Sequence, residues 1–245
     1  NPDLAIKFLN EINLPYVIKT DGLAAGKGVI IAQSKEDAKN TIIEIFSGKF
    51  GIAGKKIIIE EFLEGEEVSL FAVCDGKESK FLGTAGDYKK IGEGDLGLNT
   101  GGMGTYSPSP FVDNNLQQDV MKNIMQPTLD AMNQEDSSFV GILFAGIILT
   151  KSGPKLLEFN IRFGDPEAEA ILPRLKTDLL DIFNATINGK LDDIEIEFSN
   201  QKSVCVILAS NGYPENYKKG SQIPDIEDKL SDDEIVFHAG TKLEN

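Results

Sequence analysis

The 245-residue chain contains no tryptophan, one histidine (His238) and two cysteines, Cys74 and Cys205. With a single histidine, a Ser-His-Asp or Cys-His arrangement would have to run through His238, and no serine or cysteine stands in a recognisable nucleophile setting. The sequence has no CxxC pair of the kind that holds zinc. Its two cysteines lie far apart, each inside an apolar run, which reads as free thiols in a reducing compartment. Positive charge is also scarce: 24 Lys and Arg face 39 Asp and Glu, for a net charge of −15. That sign argues against nucleic acid or an anionic membrane surface as a partner. The longest apolar run, Phe139 to Leu149, falls short of the about 20 residues needed to span a bilayer. Asp3, Lys7, Glu11 and Lys19 interrupt the region where a signal peptide would lie. The expected location is the cytoplasm.

With 41% hydrophobic residues, the chain is long enough to bury a sizeable core in one large or two smaller domains. Strand-like runs alternate with helical spacings. Leu4 to Ile12 has helical period; Tyr16 to Lys19 and Val29 to Ala32 read as two strands of a hairpin. Ser34 caps an amphipathic helix that ends near Gly48. Lys56 to Phe62 and Val68 to Val73 read as strands flanking a hairpin-like turn, Leu63-Glu64-Gly65-Glu66. Residues 86 to 110 are Gly-rich and read as a long, nearly structureless functional segment. A helix over Leu116 to Met132 is interrupted at Pro127. Strands follow over Gly141 to Leu149 and Lys155 to Arg162, then a helix over Leu179 to Gly189 and a strand over Val204 to Ala209. A compositional break near residues 196 to 202 marks a boundary.

Four stretches carry chemistry. Residues 21 to 28, DGLAAGKG, resemble a phosphate-cradling loop, yet Gly28 stands where the Walker pattern has Ser or Thr, and the run joins two strands instead of opening a helix. Its backbone N–H groups with Lys19 and Lys27 can still meet phosphates. In Lys155 to Arg162, period-two alternation puts Glu158, Asn160 and Arg162 on one face. The carboxylate and amide oxygen are hard ligands suited to Mg²⁺ together with nucleotide phosphates, and Gly164-Asp165-Pro166-Glu167 sets two more carboxylates just beyond. The acidic run at Glu60, Glu61, Glu66 and Glu67 reads either as a solvated face or as a nucleotide edge, with the Phe62-Leu63 backbone near adenine and Glu67 accepting from ribose hydroxyls. Asn99-Thr100-Gly101-Gly102-Met103-Gly104 offers unobstructed backbone N–H groups to a carboxylate or phosphate, or is simply a surface loop.

Taken together and in order, VIKTDGLAAGKGVIIA (17–32), IIEEFLEGEEVS (58–69), GLNTGGMGTYSPSP (97–110), GPKLLEFNIRFGDPE (153–167) and FHAGTKL (237–243) resemble the ATP-grasp enzymes, specifically the phosphoribosylamine-glycine ligases of purine biosynthesis. The resemblance implies an α+β, ATP-grasp fold in which two α+β subdomains grip ATP. These would be a small lid subdomain over 1–60 and a large subdomain with the metal site over 61–196, followed by part of a C-terminal domain over 197–245. The family's N-terminal domain would lie outside the chain. Also implied are Mg²⁺ or Mn²⁺ on Glu158 and Asn160, and ATP on Lys19, Gly26, Lys27, Gly28, Glu61, Phe62, Leu63 and Glu67. Glycine and 5-phosphoribosylamine would lie around Asp87, Asn99, Thr100, Gly101, Gly102, Arg162 and Asp165, with Arg162 and Asp165 in catalytic roles. The expected reaction activates glycine as an acyl phosphate, and the expected state is a monomer.

Two motifs depart from the family pattern: Asp87-Tyr88-Lys89-Lys90 replaces DHKR, and Ala168-Glu169 ends the run that usually reads GDPETQ. Another ATP-grasp carboxylate-amine ligase and an ATP-binding core without turnover remain the alternatives.

Overall fold

The computed structural model describes residues 1–22, 24, 28–224 and 226–243. The chain divides into two compact units, Asn1–Glu64 and Gly65–Asn245.

In the first unit, helix α1 (Pro2–Phe8) starts where the Asn1 side chain accepts the Leu4 N–H. Strands β1 (Tyr16–Thr20) and β2 (Val29–Ala32) form the expected antiparallel hairpin. Helix α2 (Lys35–Glu44) is capped by the Ser34 hydroxyl, which accepts the Asp37 N–H at 3.0 Å. Strand β3 (Ile57–Glu61) returns on the other side of β1, giving the order β2-β1-β3. Ile18 of β1 packs with Ala38 and Ile42 of α2, Ile45 and Leu9 in one core. Each fully buried Ile or Leu among them contributes roughly 1.5–3 kcal/mol.

The second unit is built on a six-stranded antiparallel sheet of order β10-β9-β4-β5-β8-β11. Its strands are β4 (Glu66–Asp75), β5 (Ser79–Asp87), β8 (Gly104–Ser107), β9 (Val140–Thr150), β10 (Gly153–Asn160) and β11 (Ser203–Val206); β6 (Lys90–Gly92) and β7 (Leu96–Asn99) form a separate ribbon. Strand β4 shows why its sequence is a continuous apolar run. Val68, Leu70, Ala72 and Cys74 enter one core with Val120, Met125 and Leu129 from helices α3 (Asn114–Val120) and α4 (Gln126–Gln134). Phe71 and Val73 enter a second core on the opposite face with Ile171 of α5 (Glu167–Ile171) and Ile182 of α6 (Leu179–Ile187). Helices cover both faces, so neither parity of the strand is polar at its centre. Burial pushes the Cys74 thiol up to about 12; it and Cys205 are free.

Three expectations are corrected. Leu63 to Glu66 does not turn a hairpin: β3 and β4 belong to different sheets. Alternation within a strand reveals its faces but not its partner. Residues 86 to 110 are not structureless, since they hold the β6-β7 ribbon and β8, which pairs with both β5 and β11. Backbone ladders need no side chains, so the glycines masked them. Finally, β10 ends at Asn160, and Ile161 beyond it is 75% exposed. Arg162 therefore lies past the alternating strand that was expected to carry it.

Candidate active site

Hairpin β1-β2 makes a tight approach between its strands. Thr20 N–H donates to the Gly28 carbonyl at 2.9 Å. A Cβ added at Gly28 would come within 2.3 Å of Thr20 Oγ1 and 2.8 Å of the Ala24 methyl. Glycine is needed there for packing, whatever the loop binds. Lys19 forms an ion pair with Glu60 at 2.8 Å across the sheet. Glu61 ends β3, Phe62 is partly exposed and Leu63 is half-buried. Gly26 and Lys27 lie outside the described residues.

In the second unit, the pairing register assembles a polar patch on the sheet face that carries α5 and α6. Ser69 of β4 faces Gly146 of β9, and Gly146 faces Glu158 of β10. On the other side Ser69 faces Ala85 of β5. On the same strand face, Glu67 of β4 and Asp87 of β5 lie two residues to one side of this row, and Asn160 of β10 lies two residues to the other. Asn160 itself sits opposite Phe144. Glu158 is exposed and Asn160 half-buried. Glu67 is ion-paired with Lys89. From α5, buried Glu167 accepts the Ser69 hydroxyl at 3.2 Å and folds back against Gly164. Residues from five segments thus meet, and alternation along any one strand could not have united them.

The patch is electrostatically tense. Burial pushes Asp87 up to about 7, with Glu167 and Glu67 reinforcing the shift and Lys89 opposing it. Its Oδ1 is buried without a hydrogen-bond partner. Burial works against the charge of Lys89, yet Glu67, Asp87 and Glu158 hold its ammonium above the ordinary range. Lys89 is the residue that sequence reasoning passed over, although it lay inside the Asp87 motif. Glu169, at the departing motif, is also raised, by burial first and then by Asp165 and Glu167.

Asp87 supplies a pH test. Between 3.8 and about 7 the folded chain holds a proton that the unfolded chain has released. The folded state therefore binds more protons there, and stability falls as pH rises through that window. Asp87→Asn keeps the shape without the titration. Its denaturation midpoint, compared with the parent chain's in metal-free buffer, should gain from about pH 5 to about pH 7 and level off above that. A difference constant with pH would refute the upward shift of Asp87.

The Asn99–Gly102 segment borders Asp87. Gly102 has φ of 136°, and a Cβ there would meet Pro166 Cδ at 2.3 Å and Asp87 Oδ1 at 3.0 Å. Three N–H groups of this stretch are already taken, contrary to expectation. Thr100 N–H donates to the Lys89 carbonyl at 2.7 Å, Gly102 N–H to Thr100 Oγ1 at 3.0 Å and Met103 N–H to the Tyr88 carbonyl at 2.7 Å. Asn99 pairs with Lys90 in the β6-β7 ribbon. Arg162 is exposed and donates from Nη1 to the Phe163 carbonyl at 2.7 Å; Asp165 is exposed.

Among the described residues, no group of three or more His, Cys, Asp or Glu could cage a metal. One carboxylate and one amide oxygen on a strand face instead fit Mg²⁺, which keeps waters and takes its remaining ligands from substrate phosphates. Among the described residues, no helix is long and apolar enough to cross a membrane.

The family model described as phosphoribosylglycinamide synthetase, ATP-grasp (A) domain, matches residues 1–168, and that of the C domain of the same synthetase matches residues 203–245. The phosphoribosylamine–glycine ligase of Brucella melitensis is 44% identical over 246 residues, covering 100% of this chain and 58% of that protein. The chloroplastic phosphoribosylamine–glycine ligase of Arabidopsis thaliana is 45% identical, covering 98% of this chain and 46% of its own length. The crystal structure of phosphoribosylamine–glycine ligase from Thermotoga maritima superposes with a TM-score of 0.81 at 34% identity, over 90% of this chain and 56% of that one. The chain spans about half the length of these relatives.

Proposed function

The chain belongs to the phosphoribosylglycinamide synthetase family and carries its ATP-grasp domain, and on that premise we propose that it forms the catalytic core of an ATP-dependent ligase joining glycine to 5-phosphoribosylamine. The products would be glycinamide ribonucleotide, ADP and phosphate, a step of purine biosynthesis. The observation that carries the reading is the register-built patch: Glu158 and Asn160 on the same sheet face as Asp87, whose carboxyl is poised near neutrality.

ATP-grasp enzymes in general use ATP with Mg²⁺. Here Glu158 and Asn160 would hold the ion, with Mn²⁺ as a substitute, and the ion would supply charge neutralisation on the phosphates. Lys19 and Lys27 would meet phosphate oxygens, Lys19 exchanging its resting partner Glu60. The backbone from Glu61 to Leu63 would meet adenine, and Glu67 the ribose hydroxyls, with Gly26 and Gly28 in the loop that approaches the phosphates.

A glycine carboxylate oxygen attacks the γ-phosphorus, ADP leaves, and glycyl phosphate forms. The phosphoribosylamine nitrogen then attacks the acyl carbon, phosphate leaves, and the nitrogen gives up a proton. We assign that proton to Asp87, because a base works best with acidity near the working pH. Arg162 would offset charge on the transferred phosphoryl group, and Asp165 would orient the amine. Rate would come from positioning and charge stabilisation, without a covalent enzyme intermediate. A cytoplasmic location accords with the two free cysteines.

The test is ADP release by the native full-length polypeptide. Release that requires both glycine and 5-phosphoribosylamine is expected. ATP binding without such release would overturn the reading.

A further inference from the structure

Of the N–H groups from Thr100 to Met103, three donate to firm protein acceptors at 2.7–3.0 Å. The fourth, on exposed Gly101, meets only the Tyr213 hydroxyl, at 3.4 Å. That length is at the weak margin for N–H···O bonding. Tyr213 belongs to the segment matched by the C-domain model, far along the chain from Gly101. Two anchors bring this segment over the loop: β11 pairs with β8 from Ser203 to Val206, and the Ile207 N–H donates to the Met103 carbonyl at 3.0 Å. The Tyr213 ring is held in turn, edge to face, by Tyr217 at 5.7 Å between centroids.

As the Tyr213 oxygen accepts from Gly101, its own hydroxyl proton remains to be donated. Two donors, one main-chain and one phenolic, therefore stand side by side next to Gly102, whose backbone abuts Asp87. We propose that Gly101 N–H and Tyr213 O–H together bind one oxyanion of a substrate, a carboxylate or phosphate oxygen, so that the C-domain segment supplies a direct substrate-binding residue. Resting on the ligase reading given above, this adds a ligand from a part of the chain to which that reading assigned none. An arriving oxyanion replaces the long Gly101–Tyr213 contact with two short charge-assisted bonds, which are about twice as strong as neutral ones. The committed neighbours at Thr100, Gly102 and Met103 keep the loop in shape while this exchange occurs.

The carboxylate source is glycine and the phosphate source is the phosphoribosyl group, and kinetics separate them. In the native full-length protein, Tyr213→Phe removes the donated proton and leaves the ring packing. We expect KM for one of the two substrates to rise about tenfold, the scale of a lost charge-assisted hydrogen bond, while KM for the other and for ATP moves less than twofold. Calorimetric titration with glycine and with ribose 5-phosphate should show the same substrate weakened without turnover. An unchanged KM for both substrates overturns the proposal. So does a parallel rise in all three KM values with a lowered melting temperature, which would mark Tyr213 as only structural. If the parent enzyme releases no ADP in response to both substrates, the ligase reading fails instead, and the calorimetric arm still reports on the oxyanion site.

Discussion

On the proposed ligase reading, replacing Glu158 by Gln in the native full-length protein is expected to lower Mg²⁺-dependent ADP release by at least about 100-fold, the scale seen when one preorganised charge-stabilising group is removed from a reaction centre. The fold should survive intact. Glu158 is exposed on β10 and faces Gly146, which has no side chain to pack against it. The amide keeps the shape and one oxygen but loses the negative charge on which a hard divalent cation depends. Steady-state ADP release over a range of Mg²⁺ concentrations measures the loss, and thermal melting of the apoprotein controls for folding. Full activity at ordinary Mg²⁺ would remove Glu158 from the site. A matched drop in melting temperature would make its role structural.

Phe71→Ala should destabilise the second unit by about 3–5 kcal/mol, a large share of the roughly 5–15 kcal/mol that holds a domain folded. The ring is fully buried at the centre of β4, stacked on Phe144 at 4.5 Å and on Phe163 at 6.2 Å between centroids. Truncation leaves a cavity lined by two aromatic rings and the Ile171 and Ile182 side chains, which cannot close it without moving α5 or α6. Function should suffer beyond the stability loss. Phe163 anchors the chain between Arg162 and Gly164, and Phe144 lies opposite Asn160. Urea unfolding would show the midpoint fall with little change in slope. A loss below about 1 kcal/mol would mean the core collapses around the gap, contrary to dense packing on both faces.

What could be read in advance follows from local physics. The Ser34 cap, the β1-β2 hairpin and the apolar run of β4 each declare themselves within a few residues, because capping and side-chain alternation are short-range effects. The combined motifs also carried the family, which the matches to both domains bear out. The Gly-rich stretch from 86 to 110 was misread for an equally local reason. Its strands β6, β7 and β8 are held by backbone bonds to partners the sequence does not name.

The residue types were set by the sequence alone: a carboxylate and an amide on one strand, an aspartate before two lysines, glycines where a side chain would collide. Pairing register decided which of them meet. Ser69, Gly146 and Glu158 form one row only because β9 lies between β4 and β10 in that alignment, and a shift of one residue would turn Glu158 toward the opposite core. The same long-range packing weakened Asp87 as an acid, through burial and the nearby Glu167. It also brought Tyr213 to Gly101. Electrostatic shifts and donor pairs of this kind depend on distances between segments remote in sequence, and only the folded chain sets those distances.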